Sequence, residues 1–502
     1  MAEKKGNFKD FKQNRKKSND SGSGDTGSAW FILTIVLIMV VFFIFGGSVL
    51  RIVFSPDISA VNGTIGSGSF AGGVFSVVGT LLSAIWSGVW WLLFFILSVA
   101  FARSAWMAWR QQIFIEDAPQ VVLEIRIPRL IETGPRGMDQ FFHSLNRLIN
   151  TAGHTAEVYY HGETTRNYSF EMVSIGGEIH FYARVFRKHV GLISAALLSY
   201  YRDIEIEEVE DYVDTAFPQG NYTDIYNQGY QLWGTEMTLA KPPYYPIKSY
   251  LAFETPEETA QVDPLSVFME VLAKIKKTEI VGIQYIVSPI DGKWVAPYEE
   301  EIEEMKDPKR KLDPESAFGF PLMTPKTRGE QEQLEAIERN IDKPAFRTVI
   351  RFLYFSPQET FYDSFARRGM VGSFNQYGTR DLNAFVNNVF MQTRVEVWFK
   401  PYVFSNTRLR LRRQRILDLY KRRVFHIETF MGRLLSSHVF NWLFNSYWII
   451  LNTESMATLF HPPTELTLTA PHTQRVESKR GGAQAGLPIY QEESALDRFM
   501  DN

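Results

Sequence analysis

His461 stands beside Pro462 and Pro463, with Glu454 seven residues before it, a spacing that aligns the two side chains over two helical turns. A carboxylate and an imidazole on one face could serve acid–base chemistry or begin a metal site. A metal site needs three or four ligands with partners of their own, and His143, His154 and His161 are scattered well away from this pair. The expectation is therefore an ordinary hydrogen-bonded His461, with Asn452 or Thr453 capping a helix and Glu454 favouring its positive end. The one Gly-Lys pair, Gly292-Lys293, is followed by Trp294 rather than a hydroxyl residue, so it is no phosphate-binding loop. Gly-x-Ser-x-Gly, His-Glu-x-x-His and dinucleotide fingerprints are missing, and the chain has no cysteine. No catalytic, cofactor or metal residue is expected.

The densest charge lies in Arg408 to Arg423, where Arg408, Arg410, Arg412, Arg413, Arg415, Arg422 and Arg423 join one Lys. As a helix, this run places Leu409, Ile416 and Tyr420 in an apolar stripe with most cations outward, suited to DNA phosphates or anionic lipid heads. A solvated surface or an intersubunit contact is the plainer reading, since Arg stems also pack well. Further on, Trp442, Phe444, Tyr447 and Trp448 make a stretch unusually apolar for a soluble chain. It reads as core, or as an interface with another subunit or a separate ATPase.

Two long apolar runs, from Ala29 to about Phe54 and from about Gly72 to Ala102, are each long enough for a membrane-crossing helix. Lys4, Lys5, Lys9, Lys12, Arg15, Lys16 and Lys17 precede the first, and Arg103 and Arg110 follow the second. That distribution predicts a two-pass protein of the inner membrane with both termini cytoplasmic. Trp106 and Trp109 would sit at headgroup level. The net charge of −3 makes no case by itself for a polyanion partner.

Hydrophobic period then predicts the order β-α-β-β-α-β: strands over Val121–Pro128, Asn167–Val173, Glu178–Phe186 and Ile204–Val209, with helices over Gly137–Asn150 and Lys188–Tyr201. This is the ferredoxin-like split unit. The order returns with strands over Pro246–Glu254, Glu279–Ser288, Phe346–Phe355 and Glu396–Phe404, and helices over Pro264–Lys276 and Pro357–Arg368. The expected class is α+β: a transmembrane hairpin, tandem ferredoxin-like units and a helical C-terminal segment. The boundaries are a basic tail over 1–28, the hairpin over 29–112, units over 113–235 and 236–405, an Arg-rich helix and C-terminal segment over 406–476, and a tail over 477–502. Residues 291–343 read as a charged, solvated insertion with one helix.

Phe170-Glu171-Met172-Val173, Tyr182-Ala183-Arg184 and Asp211-Tyr212, with the later segment from Leu451 to Pro463, Arg475-Val476 and Leu487-Pro488, carry a family likeness. The chain resembles the amino-terminal region of membrane-anchored, coupling-type conjugative DNA-transfer proteins from bacteria with reduced genomes. The resemblance covers most of the chain after the apolar runs. It implies a non-catalytic, homo-oligomeric component of a type IV secretion machine that docks a separate P-loop ATPase and contacts DNA. The ATPase that follows in those proteins has no motif here. The alternatives are a membrane-tethered scaffold unrelated to DNA and a divergent membrane enzyme.

Overall fold

The computed structural model describes residues 94–128, 131, 133–150, 154–253, 263–306, 326–362, 365–388, 390–394, 404–425 and 446–464. The chain divides into two units, Met1–Trp106 and Met107–Asn502. In the first, residues 94–106 are helical. The expected membrane hairpin is corrected here: among the described residues no helix is long and apolar enough to cross a membrane. Arg103, Arg110, Gln111 and Gln112 break the apolar run of residues 94–112, and residues 29–93 of the expected hairpin lie outside the described residues. The two-pass inner-membrane placement, which rested on that hairpin, falls with it. Trp106 and Trp109, expected at headgroup level, are half-buried.

The second unit is α+β. Its strands are β1 (Gln120–Arg126), β2 (Tyr168–Ile175), β3 (Glu178–Phe186), β4 (Glu205–Val209), β5 (Tyr230–Leu239), β6 (Ile280–Ile290), β7 (Ala345–Pro357), β8 (Phe385–Asn387) and β9 (Ile449–Asn452). All pair antiparallel in one sheet of order β4-β1-β3-β2-β6-β7-β5-β8, with β9 added beside β7. The order on one side of the β2–β6 junction repeats, reversed, on the other. The two halves are therefore one continuous sheet, joined from Tyr168↔Val287 to Ile175↔Ile280.

The second half starts earlier than alternation predicts. Tyr230–Leu239 is its first strand, whereas Pro246–Glu254 holds a short turn over Tyr250–Ala252. Pro242, Pro243 and Pro246 remove ladder donors just there. Of the strand expected over Glu396–Phe404, residues 396–403 lie outside the described residues, and Phe404 is a turn residue; the edge among those described is β8.

Helices cover both faces. On one lie α1 (Pro135–Asn146), α2 (Val190–Tyr200), α5 (Ser266–Ala273) and α9 (Thr453–Leu459). Their Phe141, Phe142, Ile193, Leu197, Phe268, Met456 and Leu459 join Phe170, Tyr285 and Phe352 in the larger core. On the other lie α3 (Tyr212–Ala216), α4 (Tyr222–Asn227) and α8 (Ser405–Arg422), which close a second core over Val173, Leu232, Leu353 and Phe355. Burial on both faces explains the near-continuous apolar runs of β6 and β7. The charged insertion forms α6 (Glu299–Lys306) and α7 (Arg328–Asp342). Their Ile302 and Ile337 make a small third core with Tyr244, so part of this stretch offsets its ordering cost by burial.

Candidate functional site

Cross-strand register places one transverse row of polar side chains on the face beneath α8. The row runs Glu207, Glu124, Tyr182, Glu171, Gln284, Arg351, Glu236, each opposite the next on β4, β1, β3, β2, β6, β7 and β5. Glu171, Gln284, Arg351 and Glu236, in the middle of the sheet, are fully buried. Buried charge is tolerated only when paired and hydrogen-bonded, and α8 with its flanks supplies what pairs it. Arg423, just past α8, donates Nε to Glu171 at 2.5 Å and Nη2 at 3.2 Å, and Nη1 and Nη2 to Asp211 at 2.5 and 2.9 Å. Glu171 also accepts from Ser169 at 2.6 Å and from Tyr212. Burial works to raise the Asp211 carboxyl, but the Arg423 hydrogen bonds and charge outweigh it and hold Asp211 below its ordinary range.

The sheet in turn caps the helix. The last carbonyls of an α-helix have no partner within it and carry the negative end of its dipole. Arg351 donates Nη1 to the Leu419 carbonyl at 2.9 Å and Nη2 to that of Val424 at 3.1 Å, Gln284 reaches the Tyr420 carbonyl at 3.1 Å, and Arg184 that of Arg422 at 3.2 Å. Arg351 also grips Glu236 at 2.7 Å, and Ser446 closes the other side of that carboxylate at 2.9 and 2.8 Å. Close approach depends on two glycines: a Cβ at Gly282 would lie 1.8 Å from the Tyr420 hydroxyl, and one at Gly234 2.9 Å from Ile416 Cδ1. Arg423 itself has φ 51°, a left-handed conformation that its ion pairs hold in place.

Most of the arginines singled out by sequence thus face inward. Arg408, Arg412 and Arg423 are buried, Arg413 and Arg415 half-buried, and Arg410 and Arg422 exposed. Arg412 donates to the carbonyls of Gln392 and Arg394 at 3.0 and 3.1 Å, and burial, helped by Arg408, pushes its guanidinium down to about 10. Arg413 reaches the Tyr222 hydroxyl at 3.0 Å, and burial lowers Arg415 as well. A phosphate chain lying along α8 would find Arg410 and Arg422. Of the four aromatic interface candidates, Trp442 and Phe444 lie outside the described residues. Trp448 is half-buried with Arg347 5.0 Å from its ring centre, and Tyr447 is exposed, 6.3 Å from Phe390.

His461 and Glu454 do not converge. His461 is fully buried, with Nδ1 2.7 Å from the Ala457 carbonyl and Nε2 3.1 Å from Asp263. Burial works to raise the Asp263 carboxyl, but His461 and the Leu265 and Thr464 amides hold it far below its ordinary range. Glu454, at the start of α9 as expected, meets Lys343 at 2.9 Å, which also holds Asp139 at 2.8 Å. Burial works against the Lys343 charge, and the two carboxylates outweigh it and raise its ammonium. Both groups fasten residues 452–463, all of them buried, into the larger core. Arg475 lies outside the described residues.

Sequence reasoning placed a helix over Lys188–Tyr201, where α2 lies, but did not single out its outer face as a site. Its eleven residues, VGLISAALLSY, hold no charge, yet only Ile193 and Leu197 are buried. Leu192 is 51 % and Leu198 40 % exposed, and Gly191 and Ala195 share that outer face. A helix apolar all round is normally covered on all sides, so the absence of charge over three turns was the readable signal. Beside it, edge strand β4 is paired only with β1 among the described residues and presents Asp203, Glu205, Glu207, Glu208 and Glu210, all exposed.

Residues 113–430 match the family described as Domain of unknown function (DUF8128). The chain belongs to that family. No curated protein matches it. The placement in a type IV secretion or conjugation machine is corrected on this finding, because the matching family is one of unknown function and nothing ties the chain to secretion or DNA transfer. In this DUF8128 protein the match spans β1 to β8, the Arg423 cluster, α2 and the β4 edge, while β9 and α9 lie beyond it and complete the sheet and core.

Proposed function

We propose that this DUF8128 protein is a non-catalytic docking scaffold, a rigid sheet body that holds a partner protein against α2. One observation carries the reading: a helix without charge that leaves Leu192 and Leu198 in solvent. Exposed contiguous apolar surface on a folded body marks a partner's place. The buried ion pairs beneath α8 fit this role, since they fasten helices to the sheet and leave the charged groups engaged with one another. The test installs a photocrosslinking residue at Leu192 or Leu198 of the full chain in its native cells, with Lys274, just past the end of α5, as the control. Capture of one defined protein from both α2 positions, and none from Lys274, supports the scaffold. A second copy of this chain and a separate P-loop ATPase are the partner classes such an adduct would distinguish. Equal capture at all three positions, or none, sinks it.

A further inference from the structure

The two ends of the main strand path are finished differently. At one end β8 is three residues long and offers little ladder to a newcomer. At the other, β4 runs for five residues with its outer side unpaired among the described residues. Such an edge is a template for another strand unless charge or a covering element blunts it. Here the charges on β4 itself are all acidic, with the exposed Arg202 lying just before it. Arg126 engages Glu207 and Arg187 engages Glu208, whereas Asp203, Glu205 and Glu210 carry no ion pair among the described residues.

That pattern selects the occupant. A second copy laid edge to edge would bring its own Asp203, Glu205 and Glu210 toward these same acids, and like charges meeting across a strand pair cost stability. A basic strand meets the opposite situation. Side chains alternate along β4: Ile206 belongs to the larger core with α2, while Val209 belongs to the core under α8. An added strand with alternating apolar and cationic residues would extend both layers and place its cations on the unpaired acids.

Resting on the docking reading above, we propose that the partner supplies a basic, extended segment that adds to the sheet as a strand beside β4. Main-chain hydrogen bonds give the affinity and the carboxylates give the sign selectivity. The probe is a labelled short peptide alternating Lys and Val, titrated against the full chain by fluorescence anisotropy at low and at physiological salt. Three comparisons accompany it: a Glu–Val counterpart, a Lys–Val peptide N-methylated on alternate amides, and the variant Glu205→Lys/Glu210→Lys. The expected result is salt-sensitive binding of the Lys–Val peptide with new amide-exchange protection on β4. Binding should weaken by about tenfold or more with the double variant, and be lost with the other two peptides.

Undiminished binding of the N-methylated peptide, or persistence in the double variant, overturns strand addition, and so does failure of the Lys–Val peptide to bind. The two readings fail separately. Crosslinks from Leu192 and Leu198 with no peptide binding would leave the scaffold and remove the basic strand. Peptide binding without those crosslinks would keep the edge and remove the α2 dock.

Discussion

Replacing Arg423 isolates the cluster on which α8 rests. Its guanidinium makes four hydrogen bonds to two carboxylates, and one of these, Glu171, is fully buried in the middle of the sheet. In Arg423→Met, Glu171 keeps Ser169, Tyr212 and a 3.4 Å contact from Gln284, all neutral donors, and loses the cation that compensates its charge. Breaking one partner out of a buried pair costs about 3–5 kcal/mol. Asp211, with a side chain 25 % exposed and the Val213 amide still donating, adds little to that. Arg423→Met/Glu171→Gln removes the stranded charge, and a double-mutant cycle should return a coupling of about 2 kcal/mol or more. The backbone contribution separates as well: Arg423→Gly loses the same ion pairs but takes up φ 51° freely, so it should lie about 1 kcal/mol above Arg423→Ala in stability.

Urea denaturation of the full chain with each variant reads these differences, and amide exchange at α8 locates them. A loss below about 1 kcal/mol for Arg423→Met, the size of an ordinary surface change, would refute the claim that this cluster fastens α8. Failure of the double variant to recover would refute the reasoning from stranded charge.

Two other perturbations follow from the same geometry. Gly282→Ala puts a Cβ 1.8 Å from the Tyr420 hydroxyl and must displace that fully buried ring, so a loss of about 1–3 kcal/mol in urea denaturation is expected, and unchanged stability would contradict the close approach. Asp211 and Asp263 both have carboxyls held below their ordinary range, so the stability they contribute is fully present above the unfolded value near pH 4 and is lost as pH falls through the lower folded values. Acid denaturation should therefore begin below about pH 4, and Asp263→Asn should flatten the acid limb; an acid limb as steep as that of the parent would contradict it.

Alternation was legible where a strand has turns at both ends. Ser174-Ile175-Gly176-Gly177 marks the β2–β3 turn, and Gly176 and Gly177 have φ of 62° and 97°, so the turn chemistry that sequence displays is the chemistry the chain uses. It failed at β5, where Gly234 interrupts the pattern and burial on both faces removes the alternation. The Arg run was legible as a helix, but its direction was not. Charge density has the same appearance whether cations meet solvent or carboxylates on distant strands, and Glu171 lies 252 residues from its partner Arg423. Glu171, Tyr182, Arg184, Asp211 and Tyr212 drew notice as a sequence pattern, and they meet around Arg423 because two strands, β2 and β3, and the start of α3 bring them to one face.

Strand addition is already used within this sheet. β5 pairs with β7 only from Ile350 to Pro357, which leaves the first residues of β7 without a neighbour on that side. β9 takes the place, pairing Ala345 to Thr348 with Asn452 to Ile449, and α9 then carries Met456, Leu459 and Phe460 into the core. An extended segment gains its ladder from the edge and its specificity from the side chains that follow. At β7 the occupant is apolar and comes from the same chain, with Lys343 holding Glu454 and Asp263 holding His461 to fix its register. The outer side of β4 offers the same ladder with acidic side chains in place of an apolar groove, and so it suits an occupant of the opposite charge rather than another segment like β9.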